Sequence, residues 1–94
     1  MIKKKQVLSL IEWIDSYTID GWRGIEMLSK PEHNVCISVG WIVRETKQSV
    51  MIAPHISDIY NKECMGMACG IMTIPKVAII KRIALTPPIL TKGE

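Results

Sequence analysis

Hydrophobic and polar positions alternate most regularly between Val35 and Val43. Every second residue in this stretch is apolar, and Ser38 and Gly40 stand between apolar neighbours. Successive side chains of a β-strand point to opposite faces of its sheet, so a two-residue period predicts a strand with one apolar face. This is the clearest strand in the sequence.

An earlier stretch is more ambiguous. Apolar residues from Val7 to Ile14 fit helical spacing, but residues from Ile11 to Ile19 alternate and are rich in Ile, Trp, Tyr and Thr. Those residue types are enriched in strands. We therefore predict a strand over about Gln6 to Tyr17.

A short helix is predicted after this strand. Asp20-Gly21 breaks the alternation, and Trp22, Ile25 and Leu28 then follow at helical spacing, with Pro31 just beyond. One or two helical turns fit Trp22–Ser29.

The later elements are predicted from the polar residues, prolines and glycines that interrupt the apolar runs. Polar residues 45–48 separate two apolar runs, which predicts a hairpin whose second arm, Ser49–Ala53, ends at Pro54. The mixed composition of residues 55–64 predicts an irregular loop. Met65–Ile74 is predicted as a third long strand ended by Pro75, with glycines that allow a bulge. A tight turn then leads to a last strand that carries Ile79, Ile83 and Leu85 on one side.

These elements predict a mainly β protein, a small five-stranded barrel with one short helix after the first strand. The 94 residues suit one domain with one modest core. We assign residues 1–86 to that domain. Pro87-Pro88 prevents further strand pairing, so residues 87–94 are predicted to be a C-terminal tail.

Short motifs spread over most of the chain carry a resemblance. They are Trp13-Ile14-Asp15, Asp20-Gly21-Trp22, Ser38-Val39-Gly40-Trp41-Ile42-Val43 and Gly70-Ile71-Met72-Thr73-Ile74-Pro75-Lys76. With the predicted element order they resemble SH3-like and Sm-like small barrels, and small proteins of tailed bacteriophages. The resemblance implies a fold and a phage setting, in which some proteins of this size sequester nucleotide signals of host defence. It implies no chemistry, because none of these motifs is catalytic.

Composition favours a folded domain without a membrane span. Hydrophobic residues make up 48% of the chain and charged residues 22%, enough apolar surface to offset the entropy of ordering. The longest apolar run, Ile71–Ile80, is broken by Pro75 and is far shorter than the roughly 20 residues that cross a bilayer. The expected location is the cytoplasm, that of the host cell if a phage encodes the chain.

Charge and cysteine usage narrow the classes of ligand. The net charge of +3 matches the Lys3-Lys4-Lys5 cluster, which is not typical of a dedicated DNA-binding protein. Three cysteines cannot all pair within one chain, and their spacings lack the C-x2-C pattern of zinc sites. We expect reduced thiols, no metal and no cofactor.

Enzymatic chemistry has little support. The chain contains neither G-x-x-x-x-G-K-[ST] nor G-x-G-x-x-G, the usual phosphate-cradling loops. A cysteine nucleophile would need His55 as its base, and no known signature surrounds any cysteine. We predict no enzyme and no catalytic residues.

The most suggestive cluster for ligand binding is Asp20-Gly21-Trp22-Arg23-Gly24. A Trp ring for stacking beside an Arg for phosphate is a common arrangement at nucleotide sites. The alternative is that Trp22 packs the short helix against the barrel while Arg23 faces water. Lys76 and Arg82 add basic charge near the last strand, although a solvated strand face explains them equally well. The predicted ligand-binding residues are Trp22, Arg23, His55, Lys76 and Arg82.

Three functions remain open at this stage. The first is a non-enzymatic phage accessory protein that forms a homo-oligomer and holds a small anionic ligand, such as a nucleotide immune signal. The second is a protein-interaction or structural module without a small ligand, which binds a host or phage protein. The third is RNA or DNA binding by the small barrel. The high content of Ile and Met predicts self-association in any of them.

Overall fold

A computed structural model describes residues 6–60 and 63–86. The described chain forms seven β-strands, which are β1 (Val7–Asp15), β2 (Asn34–Glu45), β3 (Ser49–Ala53), β4 (His55–Ser57), β5 (Met67–Cys69), β6 (Met72–Pro75) and β7 (Ile79–Ala84). Five of them form one antiparallel sheet in the order β6-β3-β2-β1-β7. Strands β4 and β5 pair separately as a two-stranded ribbon. The mainly β prediction is confirmed.

The first segment is a strand, as predicted. β1 pairs with β2 from Val7 opposite Ile42 to Asp15 opposite Asn34, and with β7 on its other side. Pairing on both sides places β1 inside the sheet, and such tertiary pairing overrides the local helical spacing.

One side of the sheet, the inner face, holds the core. Ile11, Val50, Ile52 and Ile74 are buried there as one cluster, and the half-buried Trp13, Ile42 and Ile79 pack against it. The Trp13 indole N–H donates a hydrogen bond to Ser38 Oγ at 3.0 Å, which satisfies a polar group beside the core.

The apolar side of β2 points away from this core. Paired residues share a face, so Ser38 lies on the inner side with Ile11, and Val39 lies on the opposite side with Leu10. We call that opposite side the outer face. On β1, β2 and β7 it comprises Leu8, Leu10, Glu12, Ile14, Val35, Ile37, Val39, Trp41, Lys81 and Ile83.

Gly40 explains why β2 turns its small residues inward. A Cβ on Gly40 would lie 2.7 Å from the Ala53 carbonyl oxygen and 2.8 Å from Ile52 Cγ1. The backbone at the Ala53 end of β3 therefore lies close to Gly40, and a side chain has no room there.

The short helix expected over Trp22–Ser29 is reduced to one 3₁₀ turn, Ile25–Met27. No side chain caps this turn, and its residues are exposed. A helix of this length needs tertiary packing to form, and the described sheet does not cover these residues.

Two further expectations are corrected between Pro54 and Pro75. The irregular loop predicted for residues 55–64 begins with strand β4. The single long strand predicted for Met65–Ile74 is two short strands, β5 and β6, which belong to different sheets. The cause is Gly70, whose φ of +75° is a left-handed conformation that ends the extended backbone.

The predicted barrel is not closed in the described residues. β6 and β7 lie at the two edges of the sheet, and the predicted tight turn between them is a 3₁₀ turn, Lys76–Ala78. Across residues 6–60 and 63–86, no helix has the length and apolarity to cross a bilayer. The predicted tail, residues 87–94, lies outside the described residues.

Candidate functional site

The five predicted ligand-binding residues lie in three places. Trp22 and Arg23 are in the loop of residues 16–33, which we call the β1–β2 loop. His55 begins β4 in the separate ribbon. Lys76 and Arg82 meet at Glu45, at the end of β2. Arg23, His55 and Arg82 line three separate clefts.

The β1–β2 loop has a defined shape although all its residues are exposed. The Glu32 backbone N–H donates a hydrogen bond to the Tyr17 hydroxyl at 3.0 Å, which joins the two ends of the loop. Asp15 Oδ1 accepts a hydrogen bond from the Ser16 N–H at 2.8 Å. Gly21 has a φ of +84°, a turn conformation that favours glycine.

Trp22 does not pack a helix against the sheet. Its side chain is fully exposed, with a relative accessibility of 101%, and Ile25 and Met27 in the following turn are nearly as exposed. Arg23 Nη1 donates a hydrogen bond to the Trp22 carbonyl oxygen at 3.3 Å. The alternative prediction that Trp22 packs a helix against the barrel is therefore wrong. Its second part, that Arg23 faces water, agrees with the exposed Arg23 side chain.

The loop lines an open, shallow cleft of about 980 Å³. The cleft combines apolar surface with charges of both signs, so it is not a purely cationic site. Its lining includes Tyr17, Met27, Arg23, Lys30, Asp15 and Glu32.

Lys76 and Arg82 both form salt bridges with Glu45. Lys76 Nζ lies 2.7 Å from Glu45 Oε2, and Arg82 Nη2 donates to Glu45 Oε1 at 2.8 Å. The hydrogen bonds from Arg82 and then Lys76 lower the pKa of Glu45 from 4.5 to about 2. The hydrogen bond with Glu45 raises the pKa of Arg82. In this triad, Glu45 therefore neutralises part of the positive charge that Lys76 and Arg82 add near the last strand.

Sequence reasoning missed Glu45 as the centre of the triad. It belongs to β2, whereas its two partners belong to the turn Lys76–Ala78 and to β7. No local sequence pattern predicts an ion pair between residues that lie more than 30 positions apart in the chain.

His55 lies opposite Cys69 in the ribbon, and both residues are exposed. It also lines a second cleft, of about 610 Å³, together with Trp41 and Tyr60. No disulfide joins the three cysteines. The part of the chain that the structure describes contains no group of three or more His, Cys, Asp or Glu side chains that would suit a metal ion.

The chain was also compared with known proteins. No family model, curated protein or solved structure matches it. Functional inference therefore depends on the geometry of the chain itself.

Proposed function

We propose that this chain is a non-enzymatic protein-binding module whose β1–β2 loop contacts the partner. The observation that carries the proposal is the full exposure of Trp22 beside Arg23. Trp and Arg are the residue types that most often dominate the binding energy of protein interfaces.

The surroundings of Trp22 support a protein partner. Ile25, Met27 and Leu28 add exposed apolar surface next to it. Contact with water is unfavourable for such a cluster, and binding to a complementary surface removes that contact.

The order of the loop supports binding as well. The Tyr17–Glu32 hydrogen bond and the turn closed by Met27 N–H to Gly24 carbonyl oxygen (3.0 Å) restrict the loop before a partner arrives. A preorganised loop loses less conformational entropy on association. Long loops in small domains are also frequent sites of function.

The proposal includes the fold and setting that the sequence resembles, an SH3-like or Sm-like small barrel of a tailed phage, acting in the host cytoplasm. Its support is the strand order β6-β3-β2-β1-β7 with a 3₁₀ turn before the last strand. Closure of the barrel and phage origin are parts of the proposal.

The test is affinity capture with matched variants. Wild-type protein and the variants Trp22→Ala and Val77→Ala are used as baits in bacterial lysates, with and without phage infection. Val77 is the control because it is 97% exposed and lies in another turn. We expect a partner that wild type and Val77→Ala retain and Trp22→Ala loses.

Binding of the purified partner then gives the magnitude. Trp22→Ala should weaken the affinity at least about thirtyfold, the loss typical of an interface hot spot. Equal affinity of all three proteins, or no partner retained by wild type, would contradict the proposal.

A second candidate function is the sequestration of a small anionic ligand, such as a nucleotide immune signal. The cleft of the β1–β2 loop favours it, because Arg23, Lys30 and Tyr17 line the same space. A ligand that binds only the native state raises the melting temperature. Cyclic and adenine-containing dinucleotides should therefore raise the Tm of wild type and not of Arg23→Ala; no shift with wild type excludes these ligands.

A further inference from the structure

The apolar side chains of the outer face are joined along β2 and extend to β1 and β7, and Glu12 and Lys81 form the one charged row among them. Along its rows, Ile14 lies opposite Val35, and Leu10 lies between Val39 on β2 and Ile83 on β7. These side chains are direct cross-strand neighbours, so they form a single surface.

Much of this surface is exposed. Ile37 is 65% exposed, Val39 52%, Val35 48% and Ile83 39%. Inner-face residues of the same types, such as Val50 and Ile74, are fully buried. Exposed apolar patches of this kind mark binding surfaces in soluble proteins.

The charges of the outer face balance. Its two ionisable residues are Glu12 on β1 and Lys81 on β7, and the register places them directly opposite each other. Because the two opposite charges stand in the same row, covering this face leaves no net charge on it. A second copy therefore meets a neutral surface, although the whole chain carries a charge of +3.

We propose that the outer face binds the outer face of a second copy of this chain, sheet against sheet. Seven of its ten residues are aliphatic, and an eighth, Trp41, is aromatic and half-buried. The interfaces of homodimers are more apolar than those of transient complexes between different proteins, which resemble ordinary surface. Flat antiparallel sheets pack face to face with their strands about 30° apart.

The size of the face sets the expected affinity. Three strands at a spacing of about 4.8 Å, with side-chain rows about 6.8 Å apart, give a footprint of only a few hundred Å². A standard interface buries about 800 Å² per partner, and smaller ones bind weakly. We therefore expect a dissociation constant on the order of 1–100 μM.

The proposed dimer interface does not include the β1–β2 loop. The two proposals can therefore be tested independently of each other. Trp22→Ala should leave self-association unchanged, because Trp22 is outside the outer face.

The test is sedimentation equilibrium of the full chain from about 1 to 500 μM. Wild type should change from monomer to dimer over this range. The double variant Ile37→Glu, Val39→Glu should weaken dimerisation at least about thirtyfold, because a two-fold interface contains each substitution twice. Val77→Glu is the control for an added charge at an exposed site off the face.

Complementary charges identify the contact itself. We expect the acidic variant above and the basic variant Ile37→Lys, Val39→Lys each to be monomeric alone and to form a mixed dimer when combined, because opposite charges then face each other. Circular dichroism verifies that both variants keep the wild-type strand content. A wild type that is monomeric at 500 μM, a dimer that tolerates both variants, or a mixture that stays monomeric would overturn the proposal.

Discussion

The two faces of the five-stranded sheet carry similar aliphatic side chains in opposite environments. On the inner face, Ile11 and Ile74 are fully buried, whereas Ile37 on the outer face is 65% exposed. The same residue type therefore stabilises the fold on one side and is available for binding on the other.

The difference has a steric cause in β2. Ser38 and Gly40 face inward because β1, β3 and β6 already supply the large core side chains and the Ala53 end of β3 lies close to Gly40. Val35, Ile37 and Val39 of β2 then fall on the outer face. An apolar strand face is thus not always the buried one.

The largest expected effect tests the two faces directly. Ile74→Ala should lower the free energy of unfolding by about 2–5 kcal/mol, because it leaves a cavity in the core. Ile37→Ala, the same chemical change on the outer face, should cost less than about 1 kcal/mol when measured by urea unfolding at ~0.1 μM, below the dissociation constant expected for the dimer. If Ile74→Ala does not fold, Ile74→Val should still cost about 0.5–1.5 kcal/mol. Equal costs at both positions would show that the faces do not differ.

Gly40→Ala has the next largest expected effect on stability. Its Cβ would lie 2.7 Å from the Ala53 carbonyl oxygen, so β2 and β3 must move apart, at a cost of about 1–3 kcal/mol. The control is Gly66→Ala, whose Cβ would meet the Ser57 carbonyl oxygen at an ordinary 3.7 Å. That variant should be neutral within about 0.5 kcal/mol. A tolerated Gly40→Ala would refute the close approach of the Ala53 backbone to Gly40.

Ser38→Ala tests the polar contact beside the core. It leaves the half-buried Trp13 N–H without its acceptor, which should cost about 1 kcal/mol. Ser57→Ala, at an exposed site in the ribbon, is the comparison and should have no measurable effect. Chemical unfolding that gives the same stability for both variants would argue against the Trp13–Ser38 bond.

The smallest effect concerns Glu45 and depends on pH. Its pKa falls from 4.5 to about 2 in the folded state, so its contribution to stability is complete above pH 4.5 and is lost as the pH falls towards 2. Because the Glu45 side chain is 37% exposed, the contribution should be about 1 kcal/mol or less. The Tm of Glu45→Gln should be below that of wild type at pH 7, and the difference should shrink as the pH falls from 4.5 through 2. A Tm difference that does not shrink on acidification would contradict the triad.

Several features of the fold were predictable from local patterns. The hairpin arm Ser49–Ala53 has the predicted bounds, and β2 extends the alternation of Val35–Val43 by a few residues at its ends. A two-residue period is set by local backbone geometry, so it is visible in the sequence. The break at Gly70 was not predicted, because a glycine tolerates both a bulge and a left-handed turn.

The candidate site was predictable only in part. Trp22 and Arg23 were identified because an aromatic ring and a guanidinium group stand between two glycines. The structure places both side chains in an exposed loop. Lys76 and Arg82 were recognised as charges, but their partner Glu45 was not, since contact between them depends on how the strands assemble.

By itself, the amino-acid sequence determined that this chain is built mainly from strands and where the clearest of them run, because alternation and turn-forming residues act over a few neighbours. Only the tertiary structure decided which side of β2 is buried and which charges meet, because these depend on the order of the strands and on the space that β3 leaves above Gly40. The exposed aliphatic face of the sheet is the consequence.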